Sequence, residues 1–193
     1  INFQILYILL KSKIIKMLVI LHNIRSLYNV GSIFRTADAA GIEKIYLCGI
    51  TPTPIDVFGK PRQQLTKVSL GAEKYVEWER VKSTTKLIDK LRRDGYKIPK
   101  SAKGGPGWRR QSRLAIFAIE QNKKSIPYYK IPKSYILNSK FCLIFGNEIN
   151  GLPLSILKRA DKILEIPMKG KKESLNVAVA FGIIAFHLIH TYN

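Results

Sequence analysis

The stretch "MLVILHNIRSLYNVGSIFRTADAAGIEKIYLCGI", residues 17–50, decides the fold class because its periodicity changes twice. "MLVILH" is a short apolar run typical of a buried strand. Gly41 ends a predicted helix whose apolar residues share one face: Val30, Ile33, Phe34, Ala37 and Ala40. "KIYLCGI", residues 44–50, is the next apolar run. The stretch therefore predicts a strand, a helix and a second strand.

The same alternation continues to the end of the chain. Further strands are predicted at 75–78, 115–121, 140–146 and 162–167, with the start of another at 96–98, and helices at 83–95, 152–160 and 174–191. Strands that alternate with helices predict an α/β domain with a mostly parallel sheet and flanking helices. "PKSAKGGPGWRRQSRL", residues 99–114, is basic and rich in Gly and Pro, which predicts a loop.

The N-terminal segment is set apart from this domain. Its uninterrupted apolar run of about ten residues is too short to cross a bilayer, and Lys11, Lys13 and Lys16 interrupt the apolar residues after that run. It has neither the basic start nor the small-residue cleavage site of a signal peptide. We treat residues 1–16 as an N-terminal extension, either upstream translation or a fragment edge, and 17–193 as one domain.

The charge balance indicates a polyanionic partner. Thirty-three Lys and Arg against 13 Asp and Glu give a formal charge of +20. Neutralising phosphates and releasing their counterions gives such a surface affinity for nucleic acid; the alternative is a protein that is simply basic. Cys48 and Cys142 lie in apolar runs and are predicted to be core residues, which favours a reducing, cytoplasmic setting.

Polar residues follow three of the predicted strands, where open parallel sheets bind ligands. They are Asn29 with Arg35, Glu148 within "GNEINGLP", and Ser174 with Asn176. The glycines that flank Glu148, Gly146 and Gly151, permit a close backbone approach.

Each of these clusters also has a purely structural interpretation. Asn29 can cap the first helix, and Arg35 can pair with Asp38 three residues on. Glu148 can be a solvated turn residue, and Ser174 can be the N-cap of the closing helix. The residues alone leave both interpretations open.

Several other chemistries have no sequence support. The chain has no phosphate-binding GxxxxGK[ST], no GxGxxG after a strand, no HExxH and no CxxC. Its three histidines are scattered. We therefore predict neither a metal site nor a hydrolytic triad, and a Rossmann-type nucleotide enzyme lacks its phosphate loop.

Together, in this order, "NVGSIFRTADAAG", "LIFGNEINGLP" and "EIPMKGKKESLNVAVA" resemble the three motifs of the SpoU-type RNA 2'-O-ribose methyltransferases of the SPOUT superfamily. The resemblance runs from about Leu18 to the C-terminus and fails at 1–16 and at about 99–114. It implies a C-terminal deep trefoil knot, S-adenosylmethionine as cofactor, a homodimer, and methylation of a ribose 2'-hydroxyl in tRNA or rRNA.

The resemblance also assigns residues by matched position. The catalytic set is Asn29, Arg35, Glu148, Ser174 and Asn176, and the cofactor set is Gly146, Glu148, Ile166, Met168, Ser174 and Leu175. Arg35 matches the family's catalytic arginine. Because a guanidinium stays protonated at neutral pH, Arg35 acts either as the proposed base or as a clamp on the RNA phosphate that stabilises the forming alkoxide.

Two alternatives remain at this level. The chain is either such an enzyme or a catalytically idle RNA-binding protein of the same fold. The basic insertion at 99–114 departs from the family; it is either a loop that grips RNA by stacking or a foreign segment.

Overall fold

Strands and helices alternate along the chain. The computed structural model describes residues 17–94, 114–132 and 140–192. Its strands are β1 (Met17–His22), β2 (Lys44–Cys48), β3 (Glu77–Val81), β4 (Ala115–Ile119), β5 (Ile126–Pro127), β6 (Phe141–Phe145) and β7 (Lys162–Glu165). Its α-helices are α1 (Leu27–Ala39), α2 (Gln63–Ser69), α3 (Thr84–Asp94), α4 (Leu154–Leu157) and α5 (Val177–Tyr192).

The seven strands form one sheet in the order β3-β2-β1-β6-β4-β7-β5. Every neighbouring pair is parallel. The prediction of an α/β domain with a mostly parallel sheet is confirmed. Because all strands run the same way, their carboxyl ends share one edge, and the loops after β1, β6, β4 and β7 are neighbours there.

Helices cover both faces of the sheet, which explains why β1 is apolar at successive positions. On one face, Val19 and Leu21 pack in a core with α1 and α5. On the other face, Leu18 and Ile20 pack in a core with α3 and α4. The five apolar residues predicted for one face of α1 are all buried: Val30, Ile33, Phe34, Ala37 and Ala40.

Edge elements are where the sequence prediction was wrong. The strand predicted at 75–78 lies at Glu77–Val81, after a short 3-10 helix over Ala72–Lys74. This edge strand is largely exposed, and Lys44 Nζ lies 2.7 and 3.0 Å from the carboxylates of Glu77 and Glu79. Such a strand carries no apolar alternation to detect. The short elements α2 and β5, of seven and two residues, were missed because they are too short to show a periodic pattern.

Several predictions fall on residues outside the described ranges. These are the extension at 1–16, the strand start at 96–98 and all but the end of the basic insertion at 99–114. Leu114, at the end of that insertion, is buried. No helix in the described part of the chain is both long and apolar enough to cross a membrane.

Both cysteines are unpaired core residues, as predicted. Burial raises the pKa of the Cys48 thiol to about 11. Burial also raises the pKa of Cys142. Both thiols therefore stay protonated and unreactive at neutral pH.

Helix α1 approaches α2 so closely that Gly31 has no room for a side chain. A Cβ at this position would lie 2.6 Å from the Leu65 carbonyl oxygen and 3.0 Å from the Val68 Cβ. We expect Gly31→Ala to lower the free energy of unfolding by about 1–3 kcal/mol, because overpacking outweighs alanine's better helix propensity. Thermal melting measures this loss.

Gly182→Ala is the matched control within helix α5. A Cβ at Gly182 would meet only the Thr36 Cγ2, at an ordinary 3.7 Å. The control should melt no lower than the wild type, since alanine favours the helix by about 1 kcal/mol. Equal melting temperatures for Gly31→Ala and the wild type would contradict the proposed overpacking.

Candidate functional site

A chain of hydrogen bonds joins the three polar clusters at the carboxyl edge of the sheet. Asn29 Nδ2 donates to Glu148 Oε1 at 3.0 Å. Asn176 Nδ2 donates to Asn29 Oδ1 at 3.0 Å. Asn29 lies 119 positions from Glu148 and 147 positions from Asn176 in the sequence, yet its side chain is in direct contact with both.

The Glu148 carboxylate ties the loop after β6 to the start of helix α1. Besides the Asn29 amide, it accepts from Arg25 N at 3.1 Å and from Ser26 N at 3.3 Å. Partial burial opposes the charged form, but the hydrogen bonds from Arg25, Asn29 and Ser26 outweigh it and hold the pKa of Glu148 below its ordinary value. The carboxylate is ionised at neutral pH, and it is not merely solvated in a turn.

The structural interpretation of the first cluster is wrong. Ser26 caps helix α1, and its hydroxyl accepts from Asn29 N at 3.2 Å. The Asn29 side chain is thus released from capping and can bind Glu148 and Asn176 together. Arg35 and Asp38 form no ion pair, although the structure describes both residues.

The closing helix begins later than predicted. Helix α5 starts at Val177, and Asn176 Oδ1 accepts from Ala178 N at 2.9 Å. Asn176 therefore caps the helix, and the prediction that Ser174 is the N-cap was wrong. Because an N-cap side chain lies outside the helical turn, the Nδ2 group of Asn176 is left to reach Asn29.

Beside this network lies a cavity of about 430 Å³. All six residues of the predicted cofactor set line it: Gly146, Glu148, Ile166, Met168, Ser174 and Leu175. Asn176 lines it as well, and Phe145, Val177 and Ala180 add apolar surface. Cavities of this size that combine apolar walls with convergent polar groups hold cofactors and other small molecules.

Two glycines shape the wall formed by the loop after β6. A Cβ at Gly146 would lie 2.6 Å from the Gly151 carbonyl carbon, and one at Gly151 would clash with Glu120 Oε2. Gly151 also has a φ of 60°, which favours glycine. Glu120 Oε2 accepts from Leu152 N at 2.7 Å, so this carboxylate holds the loop against β4.

A second cavity, of about 510 Å³, shares Asn147 and Gly151 with the first. Asn23 and Arg25 also line it. Asn23 braces the shared wall, since its carbonyl accepts from Asn147 Nδ2 at 2.7 Å and its Oδ1 accepts from Ile50 N at 3.1 Å. This cavity carries a guanidinium and no carboxylate among its described lining residues.

Arg35 is the one predicted catalytic residue that the structure does not bring to the others. It is exposed on helix α1 and lines neither cavity. The other four, Asn29, Glu148, Ser174 and Asn176, line the first cavity or are hydrogen-bonded to residues that do.

Sequence reasoning missed two acids that line the first cavity, Glu120 and Glu165. Each stands at or just after the end of a strand, which is the signal that selected the other clusters. Both were overlooked because they were counted within the predicted strands at 115–121 and 162–167. Within the described ranges, no group of three His, Cys, Asp or Glu is placed to hold a metal ion.

Comparison with known proteins gives matches along most of the chain. It is 30% identical over 160 residues to the 23S rRNA (guanosine(2553)-2'-O)-methyltransferase RlmP of Bacillus subtilis, covering 83% of this chain and 52% of that protein. It is 26% identical to the tRNA (guanosine(18)-2'-O)-methyltransferase of Borreliella burgdorferi, covering 88% and 64%. The chain thus spans about half to two thirds of these relatives' length.

The fold matches as well. The AdoMet-bound rRNA methyltransferase of Sinorhizobium meliloti superposes with a TM-score of 0.70 at 26% identity, covering 92% of this chain and 57% of that one. The profile of the SpoU rRNA methylase family matches residues 16–186, which include all three motifs. The chain therefore belongs to the SpoU rRNA methylase family, as its motifs indicated.

Proposed function

We propose that this protein is an S-adenosylmethionine-dependent methyltransferase that methylates a ribose 2'-hydroxyl in tRNA or rRNA. The observation that carries the proposal is the Glu148–Asn29–Asn176 hydrogen-bond chain at the wall of a cofactor-sized cavity. The relatives named as tRNA and rRNA 2'-O-methyltransferases support the reaction, and the charge of +20 fits an RNA substrate.

The first cavity fits the cofactor in size and chemistry. Ile166, Met168 and Leu175 offer apolar surface for an adenosine, and backbone groups at Gly146 offer polar contacts. S-adenosylmethionine supplies an activated methyl group when bound. The protein's task is then to align the ribose hydroxyl with that methyl group and to help remove its proton.

The remaining polar residues are assigned to the side of the site that binds the methyl-accepting nucleotide. Asn29, held between Glu148 and Asn176, fixes the start of α1 beside the first cavity. The second cavity, which shares a wall with the first, has room for the acceptor nucleotide beside Arg25. Ser174, exposed at the rim of the first cavity, is assigned to contact with the reacting groups.

The site is completed by a second copy of the chain in this proposal. Arg35 does not line the first cavity of its own chain. In a homodimer, the Arg35 side chain of the second copy would complete this cavity. Helix α5 offers an apolar surface for such a contact, since Val179 and Phe186 are 51% and 37% exposed. We propose further a C-terminal trefoil knot and a cytoplasmic location, which the unpaired cysteines fit.

Incubation with S-adenosylmethionine and total tRNA or rRNA, followed by mass-spectrometric mapping, tests the function. We expect a 2'-O-methyl nucleotide that appears only when both protein and cofactor are present. Calorimetry with S-adenosylmethionine distinguishes the enzyme from the idle RNA-binding alternative, because only the enzyme needs to bind the cofactor. Absence of both methylation and cofactor binding would sink the proposal.

Arg35→Ala should lower the rate of methyl transfer by about 100-fold or more, because it removes a preorganised cation from the transition state. Arg35→Lys should restore the rate only in part, since lysine lacks the planar guanidinium fork. Single-turnover rates measure both effects.

Arg80→Ala, at an exposed arginine on strand β3, is the control for lost surface charge. Cofactor affinity of the Arg35 variants is measured alongside, and it should be retained. If either Arg35 variant transfers methyl groups at the wild-type rate, Arg35 is not catalytic.

Glu148→Gln should lower the melting temperature near pH 7, since an amide cannot accept all the hydrogen bonds that the carboxylate accepts. The pKa of Glu148 is lower in the folded state than in the unfolded state. Its contribution to the free energy of unfolding is therefore fully present above the ordinary glutamate pKa and is lost as pH falls through the lower folded value. The difference in melting temperature between Glu148→Gln and the wild type should therefore shrink as the pH falls toward the folded-state pKa of Glu148.

Thermal melting of both proteins between neutral and acidic pH makes this measurement. Glu173→Gln, at an exposed glutamate in the loop before α5, is the control and should melt like the wild type throughout. A pH-independent difference between Glu148→Gln and the wild type would contradict the assigned role of the charge.

A further inference from the structure

The first cavity has a charge opposite to that of the whole chain. The chain carries 33 basic and 13 acidic residues. Yet three carboxylates, of Glu120, Glu148 and Glu165, line the cavity, and neither Lys nor Arg does among the described residues. The adjoining second cavity shows the reverse, with Arg25 and no acid in its described lining.

None of the three carboxylates is paired with a cation in the described part of the chain. Glu120 accepts from the backbone N–H of Leu152, and Glu165 accepts from the Ser125 hydroxyl. Glu148 accepts from two backbone amides and the Asn29 side chain. Uncharged donors orient these groups without cancelling their negative charge.

The placement of the acids suits an extended organic cation. No three acidic, His or Cys side chains in the described ranges are grouped closely enough to hold a metal. Glu120 follows β4, Glu148 follows β6 and Glu165 ends β7, so the three carboxylates that line the cavity come from three different strand ends.

We propose that Glu120 and Glu165 make this cavity selective for the charge state of the cofactor, so that it holds the cationic methyl donor and releases the neutral product. The inference rests on the function proposed above. In the transfer, the S–CH3 bond breaks and its electron pair returns to sulfur. The new bond joins the methyl group to the ribose oxygen, whose proton leaves to solvent.

The cofactor loses one positive charge in this step. S-adenosylmethionine, with a sulfonium, an ammonium and a carboxylate, carries a net charge of +1, and S-adenosylhomocysteine is neutral. Attraction between the sulfonium and a carboxylate across a partly hydrated cavity is worth roughly three- to tenfold in affinity per carboxylate. This attraction vanishes when the methyl group has left.

Calorimetric dissociation constants for S-adenosylmethionine and S-adenosylhomocysteine test the proposal. The wild type should bind the cation more tightly, and the preference should shrink as ionic strength rises from about 0.01 to 1 M, where the Debye length falls from about 30 to 3 Å. Glu165→Gln and Glu120→Gln should each reduce the preference, which is the ratio of the two dissociation constants, by roughly three- to tenfold, because the affinity for the cation falls more than the affinity for the neutral product.

Continued binding of the neutral product shows that each variant still has a folded cavity. Glu173→Gln lies outside the cavity lining and should keep the wild-type preference. A preference that stays the same in both cavity variants, or that is insensitive to salt, would overturn the proposal. Binding of neither compound by the wild type would instead overturn the proposed function.

Discussion

The carboxylate of Glu148 is the interaction on which the site depends. It accepts hydrogen bonds from two backbone amides that precede helix α1 and from the Asn29 side chain. Asn29 in turn accepts from Asn176, which caps helix α5. One ionised group thereby sets the relative positions of the loops after β1, β6 and β7.

The strand order makes this contact possible. Strand β6 lies between β1 and β4, with residues Met17–Leu21 of β1 in register with Phe141–Phe145. Parallel pairing brings the carboxyl ends of these strands to the same edge, so that loops distant in sequence become neighbours. Glycine then permits the final approach, since Gly146 and Gly151 are too close to each other for any Cβ at Gly146.

Charge is unevenly distributed between the whole chain and the first cavity. The overall excess of Lys and Arg is suited to a phosphate backbone, whereas the first cavity is lined by carboxylates alone among the charged groups of the described residues. Within the described residues no cation neutralises these three carboxylates, and hydrogen bonds from uncharged donors hold them in place.

The sequence by itself determined the fold class, the buried face of α1 and four of the polar residues at the strand exits, which are Asn29, Glu148, Ser174 and Asn176. Apolar periodicity reports burial, and burial dominates in β1, β2, β4 and β6, where the predictions held. Periodicity failed at β3, which is largely exposed, and at α2 and β5, which are too short to show a pattern. The cap residues were also misplaced: Ser26 and Asn176 cap the helices instead of Asn29 and Ser174. Only the tertiary structure decided that Asn29 bridges Glu148 and Asn176 and that Glu120 and Glu165 face the same cavity. The physical reason is that hydrogen bonds and cavity walls depend on which strands are neighbours, and non-local pairing leaves no periodic trace along the chain.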